Sequence, residues 1–186
     1  MEKDFLLYLG PIKMKTFPIE SNYFITKVIN FKKHKKNLLN LIDKMPVNKY
    51  QSITNTDWNI SKQHERTYQN YFLNNILNPY LNLFIKKLKV SKCTLHNFWF
   101  QQYNKDDFHD WHTHAGANYT NVFYIELPNK NMATEIKTLN NKIIKVDANE
   151  GDILTFPAYL KHRSEPIKNE KRKTIISFNT SVDLQK

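Results

Sequence analysis

The feature that most constrains the fold of this chain is a succession of short β-rich segments that begins after Lys89. Turn-forming residues separate the segments, which are TLHNFWFQQY, YTNVFYIEL, TEIKTL, KIIKV, DILTF and RKTIISFNTSV. Short strands at fairly even spacing, joined by tight turns, are typical of an antiparallel sandwich or barrel. We therefore predict a jelly roll for the second half of the chain.

The first half carries helical periodicity instead. Apolar residues recur at roughly helical spacing from Asn22 to Lys44 and again from Ser61 to Leu88, where Pro79 predicts a kink or break. Near the start, PIKMKTFPI alternates between two prolines and predicts an edge strand. The sequence thus predicts an α+β fold in a single domain over residues 1–186, with residues 1–90 mainly helical support and residues 91–186 the jelly-roll core.

The composition indicates a packed protein with a basic surface. A chain of 186 residues with 40% apolar side chains is long enough to bury one good core. The net charge of +11 comes from 28 Lys and Arg against 17 Asp and Glu, and the lysines occur in short groups along the whole chain. This distribution favours a solvated surface over a nucleic-acid interface, which stays the less favoured alternative.

Cysteine content and hydropathy predict a cytoplasmic protein. The lone Cys93 excludes an internal disulfide, so nothing points to an oxidising compartment. The sequence has no uninterrupted apolar stretch of membrane-spanning length.

Candidate metal ligands occur in DFHDWHTHAG, residues 107–116. On a strand, His112 and His114 would project from the same face and reach one metal ion together. Asp110 would share that face and is an alternative ligand, whereas His109 would face away with Trp111. The histidine pair alone is a weak signal, because such pairs also occur on exposed loops.

Two distant residues strengthen the signal. His162 follows a turn and an apolar strand in GDILTFPAYLKH, and a jelly roll brings such distant strands face to face. Arg172 opens the next predicted strand, and an arginine buried beside a metal implies an anion that it binds through two hydrogen bonds. We interpret Trp99 and Trp111 as core residues, because most large aromatics in β-rich regions are buried.

These residues lie in segments that resemble a known family. NFWFQQYNKDDFHDWHTHAGANYTNVFYIEL, VDANEGDILTFPAYLKHRSEP and KRKTIISFN resemble the core of the 2-oxoglutarate- and Fe(II)-dependent oxygenases common in marine bacteria and their phages. TNTDW at residues 54–58 resembles a short N-terminal signature of the same family. The resemblance covers residues 97–179 well and is thin before residue 52.

The resemblance implies a prolyl-hydroxylase-like double-stranded β-helix with iron bound by His112, His114 and His162. Arg172 would bind the distal carboxylate of 2-oxoglutarate, with Tyr103 as a candidate hydroxyl partner. The implied reaction uses dioxygen and couples decarboxylation of 2-oxoglutarate to hydroxylation of an unidentified substrate in a bacterium or a phage-infected cell. Small double-stranded β-helix enzymes often pair through their N-terminal helices, so a homodimer is an alternative to a monomer.

One residue departs from the wider superfamily. Non-haem oxygenases of this kind usually bind iron through two histidines and one carboxylate, and His114 stands where the carboxylate is expected. Two other interpretations therefore stay open. One is a cupin-like three-histidine metal protein without an oxoacid, and the other is a basic module that binds nucleic acid or an acidic protein.

Overall fold

Strands dominate the part of the chain that the computed structural model describes, which is residues 21–46, 48–50, 53–61, 63–168 and 170–184. The strands in this part are β1 (Phe24–Lys27), β2 (Asn48–Tyr50), β3 (Thr54–Thr56), β4 (Val90–Tyr103), β5 (His109–His112), β6 (Tyr119–Glu126), β7 (Glu135–Lys137), β8 (Ile143–Lys145), β9 (Asp152–Pro157), β10 (Lys161–Ser164) and β11 (Lys173–Leu184). The edge strand predicted in PIKMKTFPI lies outside the described residues.

The strands form two antiparallel sheets. The larger sheet has seven strands in the order β1-β9-β6-β11-β4-β3-β2, and the smaller has four in the order β5-β10-β7-β8. Neighbours in the sheets are mostly distant in the sequence, as in a jelly roll. An apolar core between the sheets contains residues such as Tyr124, Leu154, Phe156 and Ile175. The predicted double-stranded β-helix is confirmed.

Helices cover the outer face of the larger sheet. They are α1 (Phe31–Ile42), α2 (Thr67–Phe72) and α3 (Asn78–Leu88), with a π-helical turn at Leu73–Leu77 between the last two. Their buried residues Leu38 and Phe72 join a second apolar core with Phe100 and Phe178 of the sheet. The part of the chain that the structure describes contains no helix that could span a membrane.

The first predicted helix, Asn22 to Lys44, is wrong over its first third. Phe24–Lys27 is a strand that pairs antiparallel with β9, and Asn30 takes a left-handed conformation with φ of 55° before α1 begins. Ile25 and Thr26 are β-branched and fit a pleated sheet better than a helix. Together with β2 and β3, this strand means that the segment before residue 90 also supplies part of the larger sheet.

The second helical region is confirmed from Thr67 onward. The irregularity predicted at Pro79 takes the form of the π-helical turn that directly precedes it. Proline has no N–H to donate to the preceding turn, so a local change in hydrogen bonding is expected there. Lys89, with φ of 53°, then ends α3, and β4 starts at the next residue.

Gly151 is required where the turn before β9 contacts α1. Its φ is +87°, and a Cβ there would lie 2.6 Å from Cγ of Phe31. We expect Gly151→Ala to lower the free energy of unfolding by about 3 kcal/mol, from left-handed strain and overpacking combined. Urea denaturation measures this. Gly116, with φ of +75° and no atom within 4 Å of its Cβ position, is the matched control, and Gly116→Ala should cost only about 1 kcal/mol. Equal losses in both variants would contradict the packing argument.

Candidate metal centre

Three histidines meet where the smaller sheet covers the apolar core between the two sheets. His112 is the last residue of β5 and pairs directly with His162 of β10 across the two strands. His114 lies in the loop that follows β5, and its main-chain N–H donates to the carbonyl of Ala158 at 3.1 Å. The loop is thus fixed to the β9–β10 turn, which brings His114 to the other two.

The three rings form a set of metal donors. One ring nitrogen of each lies within 4.8 Å of the other two. Nδ1 of His112 donates to the carbonyl of Asp110 at 2.7 Å, and Nδ1 of His162 donates to that of Leu160 at 3.1 Å. This leaves the Nε2 lone pairs of both rings for a metal. Nε2 of His114 is buried without a hydrogen-bond partner, so this nitrogen can coordinate a metal.

Burial keeps these imidazoles neutral, which is the form that binds metal. Desolvation, with the nearby His112, lowers the pKa of His114 to about 4. Desolvation lowers the pKa of His162 well below its usual value, with smaller effects from His112 and His114. The pKa of His112 is lowered by desolvation as well, against an opposing effect of the Asp110 carbonyl.

Asp110 does not join the cluster. Its side chain is exposed, and its carboxylate accepts the main-chain N–H of Trp111 at 2.7 Å. Its contribution to the site is the main-chain carbonyl that orients His112. The alternative ligand set with Asp110 is therefore not the one that the structure assembles.

His109 lies beside the cluster rather than facing away from it. Its ring stacks on that of His112, with centroids 3.9 Å apart and an angle of 13° between planes. Nε2 of Gln101 lies 3.3 Å from Nδ1 of His109, and Oε1 of Gln101 accepts the Ser177 hydroxyl at 3.3 Å. The prediction failed because β5 has an irregular register between His162 and Ser164 of its partner strand, so side chains do not alternate strictly there.

The structure does not bring Arg172 to the histidines, which corrects the prediction that it binds a ligand beside the metal. Its Nε donates to Glu126 at 2.8 Å and its Nη1 to Asp43 at 2.9 Å. Both hydrogen-bonded ion pairs lie on the helix-covered side of the larger sheet. The guanidinium is therefore already neutralised and points away from the inner core.

Lys173 occupies the place expected for Arg172. It lines the same inner cavity as His112, His114 and His162 and is fully buried. Its Nζ donates to the carbonyl of Met132 at 2.7 Å and to the Ser164 hydroxyl at 2.9 Å. It forms no ion pair with any described Asp or Glu, and desolvation alone lowers its pKa to about 7.

The alternation of side chains along β11 is the sequence signal that could have identified Lys173. Lys173, Ile175 and Ser177 line the inner cavity, whereas Ile176 and Phe178 pack under the helices. Because side chains alternate along a strand, residue 172 must share the outer face with the second group. A shift of one residue along the strand thus changes the side chain that faces the cavity, from the surface ion-paired Arg172 to the buried Lys173.

Tyr103, the candidate hydroxyl partner, lines the inner cavity. It is 2% exposed, and the Nζ of Lys173 sits 4.9 Å from the centre of its ring. The two residues are also direct partners across β4 and β11. Burial raises the pKa of the Tyr103 phenol, so the hydroxyl keeps its proton and can donate.

A wider outer cleft, of about 370 Å³, adjoins the inner cavity. It shares Trp99, Gln101, His109, His112 and His114 with that cavity. Trp99 thus belongs to the cleft wall as well as to the core. Trp111 is only partly buried, and the cations of Lys137 and Arg163 lie 4.8 and 4.7 Å from the centre of its ring. His112 and His114 therefore line both spaces, of which the inner one is narrow, about 30 Å³.

The solved structures that are similar to this chain include 2-oxoglutarate-dependent oxygenases. An oxidoreductase of the 2OG-Fe(II) oxygenase family from Burkholderia pseudomallei matches with a TM-score of 0.70 at 9% identity, over 86% of this chain and 84% of that one. The viral collagen prolyl hydroxylase vCPH from Paramecium Bursaria Chlorella virus-1, in its 2OG complex, matches with a TM-score of 0.57 at 15% identity, over 88% and 96%.

A third match is HygX from Streptomyces hygroscopicus with nickel and 2-oxoglutarate bound, with a TM-score of 0.64 at 9% identity, over 87% of this chain and 83% of that one. No family model matches the sequence, and no curated protein sequence does. This chain therefore has the double-stranded β-helix fold of the 2-oxoglutarate- and Fe(II)-dependent oxygenases, and it carries a three-histidine cluster within that fold.

Proposed function

We propose that this protein is an Fe(II)- and 2-oxoglutarate-dependent dioxygenase, a hydroxylase whose iron is held by His112, His114 and His162. One observation carries the proposal. Three neutral imidazoles share a cavity with Lys173, a fully buried lysine that forms no ion pair with a described acidic residue and whose pKa is lowered by burial to about 7. A buried charge is costly unless an anion accompanies it, so the cavity is suited to a metal and an anionic ligand together.

The donor set fits iron. Bound there, Fe(II) would supply redox chemistry and open coordination positions for a keto acid and dioxygen. Three neutral ligands leave the full charge of the ion uncompensated by the protein, so an anionic ligand is more strongly favoured than in a site with one carboxylate ligand. The hydrogen bonds from His112 and His162 to main-chain carbonyls hold both rings in the orientation that coordination needs.

Lys173 is the residue we propose for the distal carboxylate of 2-oxoglutarate. An ammonium group has three hydrogens, and two are directed to Met132 and Ser164, which leaves one for the ligand. Tyr103 lies against Lys173 and is the candidate second donor. Because the inner cavity measures only about 30 Å³, a five-carbon dicarboxylate requires the lining side chains to move apart as it enters.

The cupin-like alternative lacks an oxoacid, and the outward orientation of Arg172 would have favoured it. Lys173 takes the place of Arg172 as the basic residue in the inner cavity, which supports the proposal of an oxoacid cosubstrate. The matches to structures with 2-oxoglutarate bound support the same choice, because they share the fold. We also propose a cytoplasmic location, supported by the lone, unpaired Cys93 among the described residues. Homodimer formation stays a prediction.

Anaerobic titration tests the function. Fe(II) followed by 2-oxoglutarate should produce the visible charge-transfer band of the iron chelate, and admission of dioxygen should release succinate. Succinate should accumulate slowly even without a second substrate. A metal-loaded protein that gives neither band nor succinate would favour the cupin-like alternative, and a protein that takes up no metal would contradict both.

A further inference from the structure

We infer that the outer cleft binds a neutral sugar ring, either as a free saccharide or as the glycosyl part of a larger molecule. The inference names the substrate class of the function proposed above and therefore rests on it. The cleft borders His112 and His114, so a ring in it would lie next to the proposed iron. Three properties of the lining lead to this ligand.

The first property is the absence of formal charge. The described residues that line the cleft include no Asp, Glu, Lys or Arg, and their polar groups are amides, hydroxyls and neutral imidazoles. Apart from the proposed metal beside His112 and His114, the lining offers no charged partner, so a carboxylate, phosphate or ammonium group held against the rest of the cleft would lose hydration without gaining an ion pair. The basic residues that give the chain its net charge of +11 thus do not line the cleft. We therefore infer that the part of the ligand that enters the cleft is uncharged.

The second property is a corner of two tryptophans. The rings of Trp58 and Trp99 meet edge to face, with centroids 4.6 Å apart and planes at 71°. Trp99 also stacks on His114, with ring centroids 5.8 Å apart, so the two tryptophans adjoin the three-histidine cluster. Trp58 is 48% exposed and offers an indole surface on which the apolar C–H face of a sugar ring can pack.

Trp58 is held in place by a buried anchor. The preceding residue, Asp57, is 1% exposed and accepts hydrogen bonds from the Phe100 N–H at 3.0 Å, the Tyr68 hydroxyl at 2.7 Å and Arg66 Nε at 3.1 Å. The N–H of Trp58 itself donates to the Thr56 hydroxyl at 3.2 Å. The exposed indole is therefore positioned before a ligand arrives, which lowers the entropic cost of binding.

The third property is a set of groups that both donate and accept hydrogen bonds. Nδ2 of Asn179 donates to Oδ1 of Asn97 at 2.9 Å, which leaves the Nδ2 hydrogens of the exposed Asn97 for a ligand. Thr113 adds an exposed hydroxyl. Sugar hydroxyls donate and accept in the same way. A sugar ring has one apolar face that can pack on the tryptophans and a rim of hydroxyls that can bond to these polar groups.

Saturation-transfer NMR with matched sugars tests the inference. The probes are methyl β-glucoside and N-acetylglucosamine, their charged counterparts glucuronic acid and glucosamine, and an acetylated and amidated tripeptide. Zn(II)-loaded and metal-free protein are both used, so that sugar binding is read independently of iron and 2-oxoglutarate. The charged and neutral sugars are compared in the metal-free protein, where glucuronic acid cannot bind through the metal. We expect transfer to the neutral sugars, at least about tenfold weaker affinity for the charged ones, and loss of transfer in Trp58→Ala.

Trp111→Ala is the matched control, because it removes an indole that does not line the cleft, and it should leave sugar binding unchanged. Trp58→Phe, which keeps an aromatic face, should retain part of the affinity. Equal or stronger binding of the charged sugars, binding of the peptide alone, no binding of any sugar, or equal losses in Trp58→Ala and Trp111→Ala would each overturn the inference. Failure of the proposed enzymatic function would appear separately, as a missing iron chelate.

Discussion

Lys173→Ala is expected to weaken binding of 2-oxoglutarate by roughly 100-fold, because truncating one partner of a buried, hydrogen-bonded charge pair costs about 3 kcal/mol. The ammonium is fully buried beside the metal cluster, and in this structure it has only neutral partners. Anaerobic titration with 2-oxoglutarate at saturating Fe(II), followed at the charge-transfer band, gives the dissociation constant. Iron affinity itself should change little, because Lys173 is not one of the clustered donors.

Two variants make the result specific. Lys173→Met keeps most of the side-chain volume and should lose affinity as Lys173→Ala does, which separates charge from packing. Arg172→Ala should leave the dissociation constant within about twofold and lower the free energy of unfolding by about 1 kcal/mol, through its partly exposed pairs with Asp43 and Glu126. The assignment fails if Arg172→Ala, rather than Lys173→Ala, abolishes 2-oxoglutarate binding.

Affinity for 2-oxoglutarate should also depend on pH. Burial lowers the pKa of Lys173 to about 7 in the ligand-free protein, so raising the pH above 7 removes its proton. The neutral amine offers no charge to a carboxylate, and affinity should fall by up to about tenfold per pH unit between pH 7 and 8.5. Lys173→Arg, whose guanidinium stays protonated, should flatten this dependence if it folds. A flat profile in the wild type would show that the amine is not a ligand-binding group.

The sequence was sufficient to predict the jelly roll, because its strands carry their own signals. Runs such as DILTF and TIISF are apolar, rich in β-branched or aromatic residues and bounded by turns, and they became β9 and the first half of β11. Phe24–Lys27 was missed because its strand conformation depends on pairing with β9. Local periodicity does not contain that information, and tertiary pairing prevailed over a weak helical pattern.

The site was predictable as a set of histidines but not as a complete pocket. His112, His114 and His162 were found from their order along the chain, and the structure gathers them. The choice between Arg172 and Lys173 needed the exact face of β11, which one residue reverses. The stacking of His109 on His112 and the corner of Trp58 and Trp99 depend on loop and bulge geometry, for which strict alternation is no guide.

His162→Ala is expected to have the largest effect on the metal centre, lowering Fe(II) affinity by more than about 100-fold. Loss of an outer residue that only orients a ligand typically costs about 10- to 100-fold in metal affinity, so loss of a ligand should cost more. His162 is 5% exposed and fixed by its bond to Leu160, and among the described residues the donor group contains no fourth side chain. Titration with Co(II), whose visible bands report coordination, measures the change directly.

Three variants distinguish a lost ligand from a disturbed fold. His114→Ala removes the imidazole whose buried Nε2 has no hydrogen-bond partner, and it should lose metal as His162→Ala does while keeping its circular dichroism spectrum. His109→Ala removes a stacked ring outside the donor set, so affinity should fall by less than about tenfold. His96→Ala, at an exposed position bonded to Ser181, should change nothing. If His109→Ala lost metal as completely as His114→Ala, His109 would be a ligand and the three-histidine assignment would be wrong.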